Sequence, residues 1–163
     1  MTLQRRPLVV RAFEVAMSIS EALLGLPNRI VPPPFRLMQI GSSFWQSRAL
    51  YVAARLDLAT ILAEGRLSTP DLATKVGANP QALGRLLRLL AAMGVLEEVE
   101  LGVWRNNRLS EPLRSDRRDS VRAIILMHNS PEMSRPWYER LEQAILTGAV
   151  PFELRSVSTR MRH

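Results

Sequence analysis

A chain of 163 residues with 47% hydrophobic and 23% charged residues has the size and composition of one globular domain. It contains no cysteine, and its two histidines are His128 and His163; this excludes a disulfide framework, a thiolate zinc site and a thiol nucleophile, and no metal site built from protein ligands is expected. The net charge of +7 points toward an acidic partner, while no apolar run approaches the ~20 residues that span a bilayer, so a cytoplasmic chain without membrane association is expected.

Arg5 and Arg6 are followed by a segment broken by Arg11 and Glu14, which is not a secretory signal. Residues 7–25 read as an amphipathic helix, with Val10, Phe13, Met17, Leu23 and Leu24 near helical spacing and Gly25 and Pro27 ending it. Val31 to Phe35 holds three consecutive prolines and is expected to be an extended connector. Residues 1–35 are therefore read as a helical arm with a proline-rich linker, either packed on its own subunit or reaching across a dimer.

Residues 42–64 form the next helical region, capped by Ser42 or Ser43. Trp45, Ala49, Val52, Leu56 and Ala59 make one apolar stripe; Leu50, Tyr51 and Leu58 widen it beyond the about 100° that a surface helix buries. The excess surface suggests a second partner besides the core. Asp57 is placed as the cap of a second helix after a break at Leu56.

Leu67 to Leu109 is the most structured pattern in the chain. Ser68 and Thr69 cap a short helix with Pro70 in its first turn, and Gly77 ends it. Asn79 and Pro80 open another helix, carrying Leu83, Leu86, Leu87, Leu89 and Leu90, and Gly94 stops it. Val95 to Val99, the turn Leu101-Gly102 and the return Val103-Trp104 read as a β-hairpin. The fold class that follows is mainly α: a winged helix-turn-helix with one small β-hairpin and additional N- and C-terminal helices.

Beyond the hairpin, Asp119 or Ser120 starts a helix through Ala123, Ile124, Ile125 and Met127 that ends before Pro131. Ser134 is taken to cap the last helix, with Pro136 in its first turn. Trp137, Leu141 and Ile145 share a face and Gly148 closes it. The tail, residues 153–163, has no periodicity and three arginines, and is expected to be disordered.

A winged helix either reads DNA or serves as a protein interface. Residues 1–60 carry a net +4, residues 61–110 only +1 and residues 111–163 +2. A DNA-reading segment draws much of its affinity from phosphate neutralisation and should be the most basic. Here it is the least basic. The second helix offers Gln81, Arg85 and Arg88, with Gly84 between them, among five leucines. A DNA-binding transcriptional regulator is the alternative; an interface is favoured, with no specific nucleic acid as partner.

The order helix, proline-rich link, VAARLDLATILAEG, STPDLATKVGANPQALGRLLRLLAAMGVL, hairpin, SVRAIILMHNSPEMSRPWYERLEQAILTGAVPF resembles a known family. It is similar to the N-terminal dimerisation domain of class I S-adenosylmethionine-dependent O-methyltransferases, which include plant caffeic-acid and bacterial polyketide and carotenoid enzymes. The resemblance spans roughly residues 40–152. It implies a winged-helix dimerisation module that supplies one wall of a pocket for a small aromatic or polyketide acceptor. It implies a homodimer, or a heterodimer with a full-length methyltransferase. By the same resemblance Met127, His128, Asn129 and Trp137 would touch the acceptor, although His128 stands where the family has an amide. Residues 127–129 and 137 otherwise read as core or helix-end positions.

The family's catalytic chemistry lies in a doubly wound domain that follows a TG-x-x-PF stretch, matched here by Thr147, Gly148, Pro151 and Phe152. No G-x-G-x-x-G is present, and no Ser, His and carboxylate spacing suggests a catalytic set. The expectation is therefore a truncated O-methyltransferase-like chain that is not catalytic alone, with no catalytic residues, no metal and no cofactor of its own. S-adenosylmethionine belongs to the full-length family.

Overall fold

The computed structural model describes Met17 and residues 30–153. Apart from Met17, the expected arm helix over 7–25 lies outside the described residues. So does the tail beyond Glu153. The chain divides into two compact units, residues 1–44 and 45–163, and the division falls inside a helix.

That helix, α1, runs Pro33–Arg55. The proline run is therefore not an extended connector up to Phe35. Pro33 and Pro34 occupy the first helical turn, where a backbone N–H has no helical partner, so proline costs nothing there. Ser42 and Ser43 do not cap. They lie mid-helix, and their hydroxyls donate back to the carbonyls of Met38 at 2.8 Å and Ile40 at 2.7 Å.

α1 does break near Leu56. Asp57 takes a left-handed conformation, φ 53° and ψ 36°, the only non-glycine positive φ among the described residues. Two short turns follow, α2 at Leu58–Ile61 and a 3-10 turn at Leu62–Glu64. Asp57 stands at the cap position of α2, yet its side chain bonds no backbone N–H there. Its carboxylate instead accepts the hydroxyls of Thr60 at 2.8 Å and Ser115 at 2.7 Å. Leu58 is completely buried, so it belongs to the core and not to the outward apolar surface.

α3 (Thr69–Val76) and α4 (Pro80–Ala92) form the helix-turn-helix. Ser68 Oγ accepts from the Asp71 N–H, and Asn79 Oδ1 from the Ala82 N–H at 3.0 Å. Gly77, at φ 65°, ends α3 in a conformation that costs a side chain strain. Gly84 is buried rather than part of the polar face. A Cβ there would sit 3.4 Å from Thr69 Cγ2, so α3 and α4 meet at a close approach.

The wing is larger than a hairpin. β1 (Leu67–Ser68), β2 (Leu96–Glu100) and β3 (Val103–Asn106) form an antiparallel sheet in the order β1-β3-β2. Two residues are too few for β1 to show alternation in sequence. β2 pairs with β3 as Leu96 with Asn106, Glu97 with Arg105 and Glu98 with Trp104. The register then slips before Glu100 pairs with Val103, leaving Val99 as the bulged residue. Trp104, on the central strand, is completely buried with Leu72, Leu87 and Leu90. Its indole N–H donates to Thr69 Oγ1 at 2.8 Å, which fastens the sheet to the start of α3.

After a 3-10 turn at Glu111–Leu113 come α5 (Arg122–His128) and α6 (Pro131–Thr147). Neither expected start is the first-turn residue of α5, whose cap position is Val121. Nor is Ser134 the cap of α6. Ser130 accepts from the Met133 N–H and Pro131 follows in the first turn, so the same Ser-Pro chemistry acts one turn earlier. Pro136 then falls inside the helix, buried. Its missing N–H leaves the Glu132 carbonyl without its helical donor.

Candidate functional site

The expected site residues fall on the last two helices. Met127 and His128 end α5, Asn129 is its C-cap, and Trp137 lies in the second turn of α6. Met127 and Trp137 are 47% and 51% exposed, so neither is a core residue of this chain. Trp137 meets Phe152 edge-on, with ring centroids 5.9 Å apart. The Phe of the TG-x-x-PF stretch thus folds back on α6. Around Trp137, the side chains of Leu141 and Ile145 on the same face are also exposed, as is Ile124 on α5. α5 and α6 therefore carry apolar side chains at the surface of the chain.

Asn129 differs from its two neighbours. Its Oδ1 accepts the Ser47 hydroxyl at 3.0 Å, its Nδ2 donates to the Ile125 carbonyl at 3.3 Å, and its own carbonyl accepts from Arg48 at 2.9 Å. At the other end of α5, Arg122 Nε donates to the Ala54 carbonyl at 2.7 Å and lies 3.3 Å from Asp57 Oδ1. Sequence reasoning missed Ser47, Arg48 and Arg122. They stand roughly 70 to 80 positions from their partners in the chain, and a single sequence carries no signal for such a pairing.

The face that would meet DNA is mixed in charge. Gln81, Arg85 and Arg88 of α4 are exposed, as the sequence implies. The wing beside them carries Glu97, Glu98 and Glu100, with Glu97 paired to Arg105 at 2.7 Å and Glu100 to Arg66 at 2.7 Å. A wing whose cations are already engaged by carboxylates has little left for phosphates. The following loop is also internally neutralised. Arg114 bonds Asp116 and Glu111, and Arg117 bonds Asp119; these contacts hold the Asp116 and Asp119 carboxyls below the ordinary carboxylate range. Among the described residues no cluster of three potential metal ligands occurs, and no helix is long and apolar enough to cross a membrane.

Residues 38–116 match the O-methyltransferase dimerisation domain family. The phenazine O-methyltransferase PhzM of Lysobacter antibioticus is 37% identical over 123 residues, covering 76% of this chain and 36% of that protein. The crystal structure of LaPhzM superposes with a TM-score of 0.71 at 35% identity, over 76% of this chain and 36% of that one. NcsB1, an O-methyltransferase from neocarzinostatin biosynthesis solved in complex with S-adenosyl-L-homocysteine, superposes with a TM-score of 0.58 at 28% identity, over 72% of this chain and 39% of that one. The chain thus spans between about a fifth and about a third of the length of the curated relatives it matches, 36% in the case of PhzM and 25% in the case of tpcA of Aspergillus fumigatus.

Proposed function

Through residues 38–116 this chain belongs to the family of O-methyltransferase dimerisation domains, and on that premise we propose that it acts as a dimer-forming, pocket-wall module in small-molecule methylation. The working unit in this reading runs from α1 to residue 152, with the residues before α1 as an arm and residues 153–163 as a tail; Pro33 to Phe35, which the sequence pattern assigns to the arm, belong to α1. The supporting observation is the exposed apolar side chains on its helices. Phe35, Met38 and Ile40 on α1 are exposed within the first unit, and Trp45, 61% exposed, within the second. Apolar patches of that kind mark interfaces. The partner is a second copy, or a full-length methyltransferase carrying the same domain.

Light scattering after size exclusion tests this directly. About twice the monomer mass is expected for the purified chain. A monomer at tens of micromolar would count against the homodimer and leave only the mixed assembly, which co-purification with a full-length relative would then have to reveal.

Met127, His128 and Trp137 are the residues proposed to face an acceptor, and the relatives' phenazine chemistry suggests a planar aromatic one. An exposed thioether and an indole suit the face of such a ring. The full-length relatives are S-adenosylmethionine-dependent methyltransferases. A cofactor of that kind is held at the C-terminal edge of a parallel sheet, with a glycine-rich turn leading into a helix start. The described sheet is three antiparallel strands, and the described residues do not fit the cofactor, so no transfer step is assigned to them. Calorimetric titration of the 163-residue chain with S-adenosylmethionine is expected to be flat into the millimolar range. Micromolar binding would reveal a site elsewhere in the chain.

A further inference from the structure

α5 is fastened to α1 by polar groups at its two ends and by little else. Arg122 reaches the Ala54 carbonyl at 2.7 Å and the Asp57 carboxylate at 3.3 Å. In an unbroken helix the Leu58 N–H would take that carbonyl. The left-handed turn at Asp57 ends α1; the Ala54 carbonyl takes the Asp57 N–H at 3.2 Å and, as a second donor, Arg122, where a cation also complements the helix C-terminus. At the opposite end Asn129 joins Ser47 and Arg48. Between these two clamps α5 has no buried residue. Its inward Ile125 packs against the core from one side of an apolar cleft of about 200 Å³, lined also by Leu50, Val95, Leu109, Leu113 and Val121. The packing beneath the helix is thus incomplete.

We infer that Arg122 and Asn129 are positioning residues: two polar clamps set where α5 lies on α1, and α5 opens as a local unit when either is released. Asn129 is thereby reassigned. Its amide is engaged by Ser47 and the Ile125 carbonyl, so it orients Met127 and His128 instead of meeting an acceptor itself. The description of α5 as a pocket wall rests on the function proposed above; the clamping does not. Elements with few buried apolar contacts are those that open below the global stability.

Amide hydrogen exchange on the whole chain tests the inference. A hydrogen bond to a charged group changes an opening equilibrium on the order of tenfold to a hundredfold, and partial exposure of Arg122 and Asp57 favours the lower end. Arg122→Ala and Asn129→Ala are expected to speed exchange over residues 122–129 by roughly tenfold, with residues 83–90 of α4 keeping wild-type protection. Asn129→Asp keeps an acceptor for Ser47 but loses the donor to the Ile125 carbonyl and puts a negative charge at the helix C-terminus, so it should also speed exchange over residues 122–129. Unchanged exchange in α5, or equal acceleration of α4 and α5, overturns the inference. If Arg122→Ala fails to fold, Ser47→Ala, at an exposed bond, gives the same local readout with a smaller effect. Light scattering on the same samples separates the two ideas. A monomeric wild type weakens the dimer reading and leaves the clamp standing, whereas a dimer with unmoved α5 exchange removes the clamp alone.

Discussion

Trp104→Ala is expected to destabilise the fold by about 3–5 kcal/mol, the usual cost of emptying a large aromatic site. Trp104 is completely buried on the central strand, paired to Glu98 on one side and Leu67 on the other. Its indole N–H also holds Thr69 Oγ1, whose hydroxyl donates onward to the Gly102 carbonyl at 3.1 Å. The substitution therefore empties a site where the wing, the tip of its hairpin and the start of α3 converge. Trp104→Phe keeps one aromatic ring but loses the N–H donor and the rest of the indole, for roughly 1–3 kcal/mol. Urea midpoints measure both. A loss under 1 kcal/mol for the alanine variant would mean that the wing is not an integral part of the core.

Leu90→Ala is expected to cost about 2–5 kcal/mol, and Leu86→Ala, Leu89→Ala and Arg88→Ala should follow in falling order. The hydrophobic pattern alone sets Leu86 beside Leu90 on the core side of α4. Leu90 is completely buried, whereas Leu86 is only partly so and Leu89 is 40% exposed. A half-buried leucine loses less transferred area and leaves a site open to water instead of a cavity, so its cost should fall well below that of Leu90. Arg88 is exposed, and its removal should stay within about 0.5 kcal/mol. Denaturant midpoints for the four variants give the order. Leu89→Ala costing more than Leu90→Ala would mean that α4 is rotated from the facing described above.

What was legible from the sequence is what short-range backbone chemistry dictates. Ser68, Asn79, Gly77 and Gly94 mark their helix ends correctly, because a cap or a left-handed residue acts within about four positions and needs no tertiary partner. The mainly α winged helix follows from those stops and from the leucine spacing between them. Where two local signals of the same kind lie close together, the sequence was ambiguous. Ser130-Pro131 and the Ser134 to Pro136 stretch both resemble a helix start, and Ser42 and Ser43 bond as readily to a preceding carbonyl as to a following N–H.

The tertiary structure decided everything that depends on partners distant in the chain. β1 exists because β3 is there to pair with it, not because two residues prefer to be extended. Leu58 turned from outward surface to core because the left-handed turn at Asp57 redirects the chain, and that turn is held by Thr60, Ser115 and Arg122. The bonds of Asn129 to Ser47 and Arg48 are of the same kind: they depend on α1 lying beside α5 and leave no mark in the sequence. A side-chain hydrogen bond reads geometry and not sequence separation, so such pairings appear only once the chain has folded.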